Sequence, residues 1–317
     1  MSRVSSLKSP VYLLWLEWPE KCFRLNANDL AYFQSLVPKG AKVVRVRSER
    51  AFLKSLPTAT HAVTWHFKAE WFAKAPNLKT LATPAAGREF VPEKGPPGVR
   101  IHFGHYHGKI MSESVAAFML AWARGFFAIH RAPQDWPRTW MSDKCSLVAG
   151  TRAVIAGYGN VGRAIGAKLE ALCVDVYGIT RHGTFHGSKR VKAKVKGEGE
   201  QMNADWFILA LPSTTGTDDF LNAALLRKLP RSCVVINVGR GNAVDEKALY
   251  AALKAKRIAG AYLDVRKHEP SATVLESPGY VPELADLPNC IVMPHASAFD
   301  ATYLKLCFKE LKDDGCL

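Results

Sequence analysis

The chain has 317 residues, 48% hydrophobic and 22% charged, which is long enough for two cores and too apolar for a disordered chain. Its seven cysteines, from Cys22 to Cys316, are odd in number and widely spaced, which excludes a disulfide framework and a cysteine zinc cluster and points to free thiols in a reducing compartment. With 43 basic and 28 acidic residues the net charge is +15, a surplus that draws anions: nucleic acid, a phosphorylated cofactor or an acidic substrate.

Residues 1–8 lack the apolar core of a secretion signal, and the most apolar helical stretch, 115–122, meets Arg124 well short of the ~20 apolar residues a bilayer span needs. A cytoplasmic protein with no membrane partner is expected. Residues 11–16 read as a buried strand, and 28–36 as a helix with Asn28 as its N-cap. A strand over 42–46, a helix over 49–56, a strand over 61–65, a helix over 69–75 and a strand over 79–83 follow. Such alternation predicts a parallel sheet with helices on both faces. Ligands gather at the carboxyl ends of strands in such sheets, here the Trp65-His66 and Ala85-Ala86-Gly87 loops. A long apolar helix is predicted over 112–129, suited to bridging domains or to subunit contact, and a loop rich in Pro and Trp follows it.

A second alternating unit starts near Thr151. An apolar strand over 152–156 leads into Gly157-Tyr158-Gly159-Asn160-Val161-Gly162 and then a helix over 163–172. In that setting Gly157 permits the tight turn, Gly159 lets the backbone approach a pyrophosphate, and Gly162 allows close helix-sheet packing. The amides near Asn160 and Val161 then face the anion at the positive end of the helix. The next strand, 174–179, ends in Thr180-Arg181, where an NAD site would place a carboxylate for the ribose hydroxyls. A guanidinium there pairs with a 2′-phosphate instead. The basic run from Arg181 to Lys196 reads as a solvated loop or as a funnel for that phosphate. NADP is therefore the expected cofactor, with NAD as second choice.

Three later apolar strands each end on chemistry: 233–240 on Arg240, 258–265 on Asp264 with Glu269 beyond it, and 289–295 on Pro294-His295. Arginine presents a planar fork that matches a carboxylate and polarises the adjacent carbonyl. A histidine can give a proton to a developing alkoxide and take it back in reverse, and a carboxylate on its other nitrogen favours the charged ring. That set suits a 2-oxo acid reductase. Clustered imidazoles at His102, His105 and His107 fit no helical ligand spacing and have no neighbouring acid in sequence, so no metal is expected.

On these residues the chain resembles the D-isomer-specific 2-hydroxyacid dehydrogenases, of the glyoxylate/hydroxypyruvate reductase kind, most strongly from Ala153 to His295. The glycine run is similar to the family's first signature, residues 229–241 to its most specific one, and Ala210-Leu211-Pro212 to the preceding strand end. The resemblance implies that Arg240 binds the substrate carboxylate and carbonyl, that Glu269 orients His295 as acid/base, and that Asp264 contacts the nicotinamide carboxamide. It also implies cofactor contacts at Leu211, Pro212 and Val238, and backbone amides of Ala86, Gly87 and Arg88 on the substrate carboxylate. The implied architecture is α/β, with two doubly wound parallel-sheet domains. A flavodoxin-like substrate domain takes residues 1–110 and 298–317, an inserted Rossmann cofactor domain takes 111–297, and the active site lies in the cleft between them. A homodimer and a small 2-oxo or 2-hydroxy acid substrate follow as partners, with nucleic acid not expected. Two departures stand out: Ala116-Ala117-Phe118 replaces the usual Ala-Glu-His, and Ala296-Ser297 replaces a glycine pair after the histidine. Relatives of the family include transcriptional corepressors, so a nucleotide-sensing regulator on the same fold is the alternative.

Overall fold

The structure, a computed structural model, describes residues 9–132, 134–181, 183–186, 189–191, 203–267, 269 and 283–317, with backbone alone at 184–186 and 189–191. The chain divides into two compact units, Met1–His107 with Phe299–Leu317, and Gly108–Ala298.

The first unit holds β1 (Val11–Trp15), α1 (Ala27–Leu36), β2 (Lys42–Arg45), α2 (Glu49–Ser55), β3 (His61–Thr64), β4 (Thr80–Thr83) and β5 (Arg100–Phe103). All five strands run parallel in the order β2-β1-β3-β4-β5, the flavodoxin-like order. Successive strand residues point to opposite faces, so Leu13 joins Phe52, Leu56, Trp71 and Leu81 on one side while Tyr12 meets Phe33 of α1 on the other. Two local expectations are corrected. Asn26, not Asn28, caps α1, because Asp29 lies three residues on and closes a reciprocal capping box with it. Residues 69–74 form a 3₁₀ helix instead of an α-helix.

In the second unit, α3 (His107–Ala123) ends before Gly125, whose φ of +73° takes it out of the helical region, and α4 (Phe126–Ile129) starts afresh; the single helix expected over 112–129 is thus two. After α5 (Arg138–Ser142) come β6 (Arg152–Ala156), α6 (Asn160–Glu170), β7 (Asp175–Thr180), β8 (Gly183–His186), β9 (Lys189–Val191) and β10 (Trp206–Leu209). Then follow α7 (Ala223–Lys228), β11 (Val234–Asn237), α8 (Glu246–Lys254), β12 (Gly260–Leu263), α9 (Glu283–Asp286) and β13 (Cys290–Val292). The sheet order is β13-β12-β11-β10-β6-β7-β8-β9. Six of these strands are parallel, and β8 and β9 are antiparallel. Two residues separate β7 from β8, too few for a crossover, so the chain has to return antiparallel. The stretch expected as a basic loop therefore begins as a hairpin.

Alternating residues of each strand feed the two faces of this sheet: Ile155, Ile208 and Ile236 one, Val154, Phe207 and Val235 the other. Strand order reverses at β6, the switch point where sheets of this kind take their ligands. The last helix, α10 (Tyr303–Asp313), belongs to the first unit, where Phe308 meets Phe33 of α1 edge-on.

Candidate active site

The glycine run leaves the carboxyl end of β6 as predicted from its strand-helix setting. Gly157 has φ +93° and its amide donates to the Ile179 carbonyl at 2.9 Å. A side chain at Gly162 would collide with the Gly157 carbonyl, so the start of α6 lies directly on the turn. Gly159 differs: its φ is an ordinary −82°, and a Cβ there would meet nothing within 4 Å. Neither strain nor packing requires glycine at that position; its lack of a side chain leaves open space where a pyrophosphate would approach the backbone. Asn160 and Val161 open α6, at the positive end of the helix dipole, where an anion is favoured. A dinucleotide fits this cradle. Leu211 and Pro212 follow β10 and Val238 follows β11, and the Val238 amide ties to the Leu209 carbonyl at 3.0 Å. At the end of β7 the Thr180 hydroxyl donates to the Gly183 carbonyl at 2.9 Å and Arg181 is exposed. Of the basic run beyond it, the side chains of Lys189 and Arg190 and all of Lys192, Lys194 and Lys196 lie outside the described residues.

The ends of β11, β12 and β13 carry the polar set. Buried Asn237 accepts from the Gly239 amide and donates to the Arg240 carbonyl, both at 3.1 Å, which fixes the bend from which Arg240 projects; the guanidinium touches the Gly239 carbonyl at 3.0 Å. Asp264 is 1% exposed. Its Oδ1 accepts from the amides of Ala296 and Ser297 at 2.9 Å each, and its Oδ2 from the Ser297 hydroxyl. The Asp264 carbonyl takes the His295 amide at 2.8 Å. Ala296 and Ser297, the departure noted in the sequence, thus supply the donors that bind the end of β12 to the turn after β13. This turn holds His295 at φ +54°, a region few non-glycine residues enter, and its half-exposed ring is aimed accordingly.

Glu269 Oε2 lies 2.9 Å from His295 Nδ1, and Glu269 Oε1 accepts the Arg266 amide at 3.0 Å. An ionised carboxylate only accepts, so Nδ1 carries the hydrogen of this bond. The hydrogen bond to Glu269 raises the His295 pKa above its ordinary value against the opposing effect of burial; the charges of Glu269 and Asp264 add to the rise and Arg240 works against it. Burial alone would push the Glu269 carboxyl up, but the hydrogen bond and charge of His295, the Arg266 amide and Arg240 together hold it below the usual range. Each partner thus favours the charged form of the other.

In the first unit, Ala86, Gly87 and Arg88 follow β4 on a largely exposed loop. Arg88 pairs with exposed Glu93 at 3.0 Å and lies over the Phe103 ring. Near it, His66 stacks on Trp18 and meets Phe90 edge-on. The imidazole cluster is rearranged relative to its spacing in sequence. His102 Nε2 lies 2.9 Å from Asp314 and 3.7 Å from Glu310, whereas His107 pairs with Tyr303 at 2.7 Å. The expectation of no nearby acid is corrected: α10 and the residue after it bring two, and the three ligating atoms of His102, Glu310 and Asp314 lie within 4.8 Å of one another, close enough to hold a cation. The sequence assigned no role to Glu246, Arg266 or Ser297. Arg266 sits two residues past Asp264 and could have been suspected from that; Glu246, 20 residues away, gives no local signal.

With that geometry established, comparison with known proteins decides the family. The model of the D-isomer specific 2-hydroxyacid dehydrogenase NAD binding domain matches residues 116–297, more than half of the chain. The chain belongs to this family. It is 28% identical to a glycerate dehydrogenase of Methylorubrum extorquens over 256 residues, 78% of each protein. Among solved structures it resembles the NAD complex of a D-isomer specific 2-hydroxyacid dehydrogenase from Lactobacillus delbrueckii, with TM-score 0.74, 17% identity and 96% of both chains covered. It also resembles a member from Xanthobacter autotrophicus in complex with NADPH and MES, with TM-score 0.72, 23% identity and 97% and 96% covered. The two-domain parallel α/β fold expected from the sequence is the fold of these structures. An NAD-binding domain is present, and among the described residues no helix is long and apolar enough to cross a membrane.

Proposed function

We propose that this family member moves a hydride between NADP(H) and the carbonyl carbon of a small 2-oxo acid, with His295 as the acid/base. The observation that carries the reading is the His295–Glu269 pair, standing on the same sheet as the β6 glycine cradle and the Arg240 bend. The nicotinamide supplies or accepts the hydride. His295 gives a proton to the developing alkoxide on reduction and takes it back on oxidation, and Glu269 stabilises the charged ring. Arg240 grips the substrate carboxylate and polarises the adjacent carbonyl, joined by the backbone amides of Ala86, Gly87 and Arg88. Asp264 has three of its roughly four acceptor positions occupied by Ala296 and Ser297. Its main work is to hold the His295 turn, leaving one acceptor position for a carboxamide. Leu211, Pro212 and Val238 line the nucleotide, and the unit Gly108–Ala298 serves as the cofactor domain.

The preference for NADP rests on Thr180 and Arg181. The Thr180 hydrogen is already given to Gly183, so donation to a 2′-phosphate falls to the exposed Arg181. Leu120, Phe126, Ile129, Trp136 and Leu147 are exposed on or beside α3 to α5, and Trp136 is 84% exposed. A second copy is proposed to cover them, and light scattering at micromolar concentration tests the dimer. The function is tested with a panel of 2-oxo acids, glyoxylate and hydroxypyruvate first, assayed with NADPH and NADH separately. Turnover favouring NADPH, with the preference lost in Arg181→Ser, is expected. Preference for NADH would remove the NADP assignment. Absence of turnover with every acid would favour a nucleotide-gated binding protein.

A further inference from the structure

Behind the His295–Glu269 pair lies a buried ion pair between Arg266 and Glu246. The side chains of Arg266 and Glu246 are 5% and 7% exposed. Arg266 Nε donates to Glu246 Oε1 and Nη2 to Oε2, both at 2.9 Å, in a two-toothed fork. Glu246 Oε1 also accepts the Lys267 amide at 2.8 Å. One carboxylate thus grips a side chain and the next backbone amide, which fixes both the position and the rotation of the turn after Asp264. The Arg266 amide is the donor that holds Glu269 Oε1, and the Arg266 carbonyl lies against Gly241, where any side chain would collide with it. Gly241 directly follows Arg240. A single buried fork therefore sets the register of the carboxylate behind His295 and of the backbone beneath Arg240.

We propose that Glu246 and Arg266 are positioning residues for the acid/base: their ion pair locks the 264–269 turn so that Glu269 meets the His295 ring. The inference rests on the reading of His295 as acid/base. A purely stabilising role explains the pair less well, because buried ion pairs are weak contributors to stability and apolar pairs of similar volume often serve as well or better. What apolar residues cannot do is hold the Lys267 amide and set the rotation of the turn. The neighbouring Lys267–Asp219 pair is half exposed and adds little restraint. Among the described residues, Glu269, Asp264 and Arg240 act on the His295 ring; Glu246 and Arg266 neutralise each other in their own fork, so their influence on the ring runs through geometry.

The test uses the full chain and the double variant Glu246→Gln/Arg266→Met, which leaves no lone buried charge. We expect it to unfold cooperatively, to keep the wild-type Kd for NADPH and to keep the KM of the 2-oxo acid within about twofold. Its kcat should fall on the order of ten- to a hundredfold, the scale of a small misplacement of a reacting group. The alkaline limb of kcat for reduction should move to lower pH, toward that of Glu269→Gln. Arg266→Lys, which keeps the charge but loses the fork, should fall between. A folded double variant with wild-type kcat and pH profile overturns the inference, and so does one that cannot fold, since the pair is then structural. If His295→Gln and Glu269→Gln themselves turn over like wild type, it is the acid/base reading that has failed.

Discussion

At the carboxyl end of the eight-stranded sheet, Asn237, Asp264, Arg266, Ser297 and Glu269 are bound to one another or to the adjacent backbone, and most are buried. At the carboxyl end of the five-stranded sheet, Ala86, Gly87 and Arg88 lie on a largely exposed loop whose arginine is tied to a surface glutamate. Both ends occupy the place where parallel sheets bind ligands, but they are built to different tolerances. Proton transfer, the role proposed for His295, needs reacting atoms within hydrogen-bond reach and a tuned pKa, and the residues around His295 are held by other residues. A loop that contacts substrate mainly through backbone amides can vary in side chain and still work.

The largest effect that would sharpen this contrast is expected from His295→Gln. It should lower kcat for reduction by about 10²- to 10⁴-fold while leaving nucleotide binding intact, measured by steady-state kinetics and fluorescence titration. Arg240→Lys keeps the charge but not the fork. It should raise the KM for the 2-oxo acid and lower kcat/KM by roughly tenfold to a hundredfold.

Glu269→Gln should cost less in rate, and its pH dependence is the more telling readout. His295 has its pKa raised mainly by Glu269, so its acid form persists to higher pH and reduction declines only as pH rises through that raised value. Removing the carboxylate leaves burial to lower the pKa. The decline should then begin at lower pH, and oxidation, which needs the neutral ring, should gain at lower pH; matched profiles in both directions check the sign.

The smallest effects come from paired surface and buried changes. Ser297→Ala removes a donor from buried Asp264 and should destabilise the protein by about 1–2 kcal/mol. Arg88→Gln breaks an exposed pair and should change stability by less than about 0.5 kcal/mol. Equal shifts in Tm would break the comparison.

Legibility in the sequence followed the same divide. The alternation over residues 11–83 read correctly as a parallel sheet because each strand is a short apolar run bounded by turn residues. The N-cap of α1 was misplaced by two residues because Asn26 and Asn28 are both competent caps, and only the reciprocal bond from Asp29 selects the first. The helix over 112–129 read as continuous because its apolar content does not register the left-handed turn at Gly125. At the site, Gly157 to Gly162 and the strand ends at Arg240, Asp264 and His295 were legible, since each is a local pattern of strand followed by functional residue. What Asp264 binds was not: two of its three donors are the backbone amides of Ala296 and Ser297, which any residue type would supply, and only the Ser297 hydroxyl depends on side-chain identity.

By itself the sequence determined the α/β class, the dinucleotide turn and the order in which Arg240, Glu269 and His295 arrive, because these depend on residue types within a few positions of one another. Tertiary structure alone decided that Glu246 holds Arg266 and that His102 meets Asp314 across 212 residues. Those partners are chosen by which strands and helices lie side by side, and side-by-side order is a property of the packed sheet that no local spacing records.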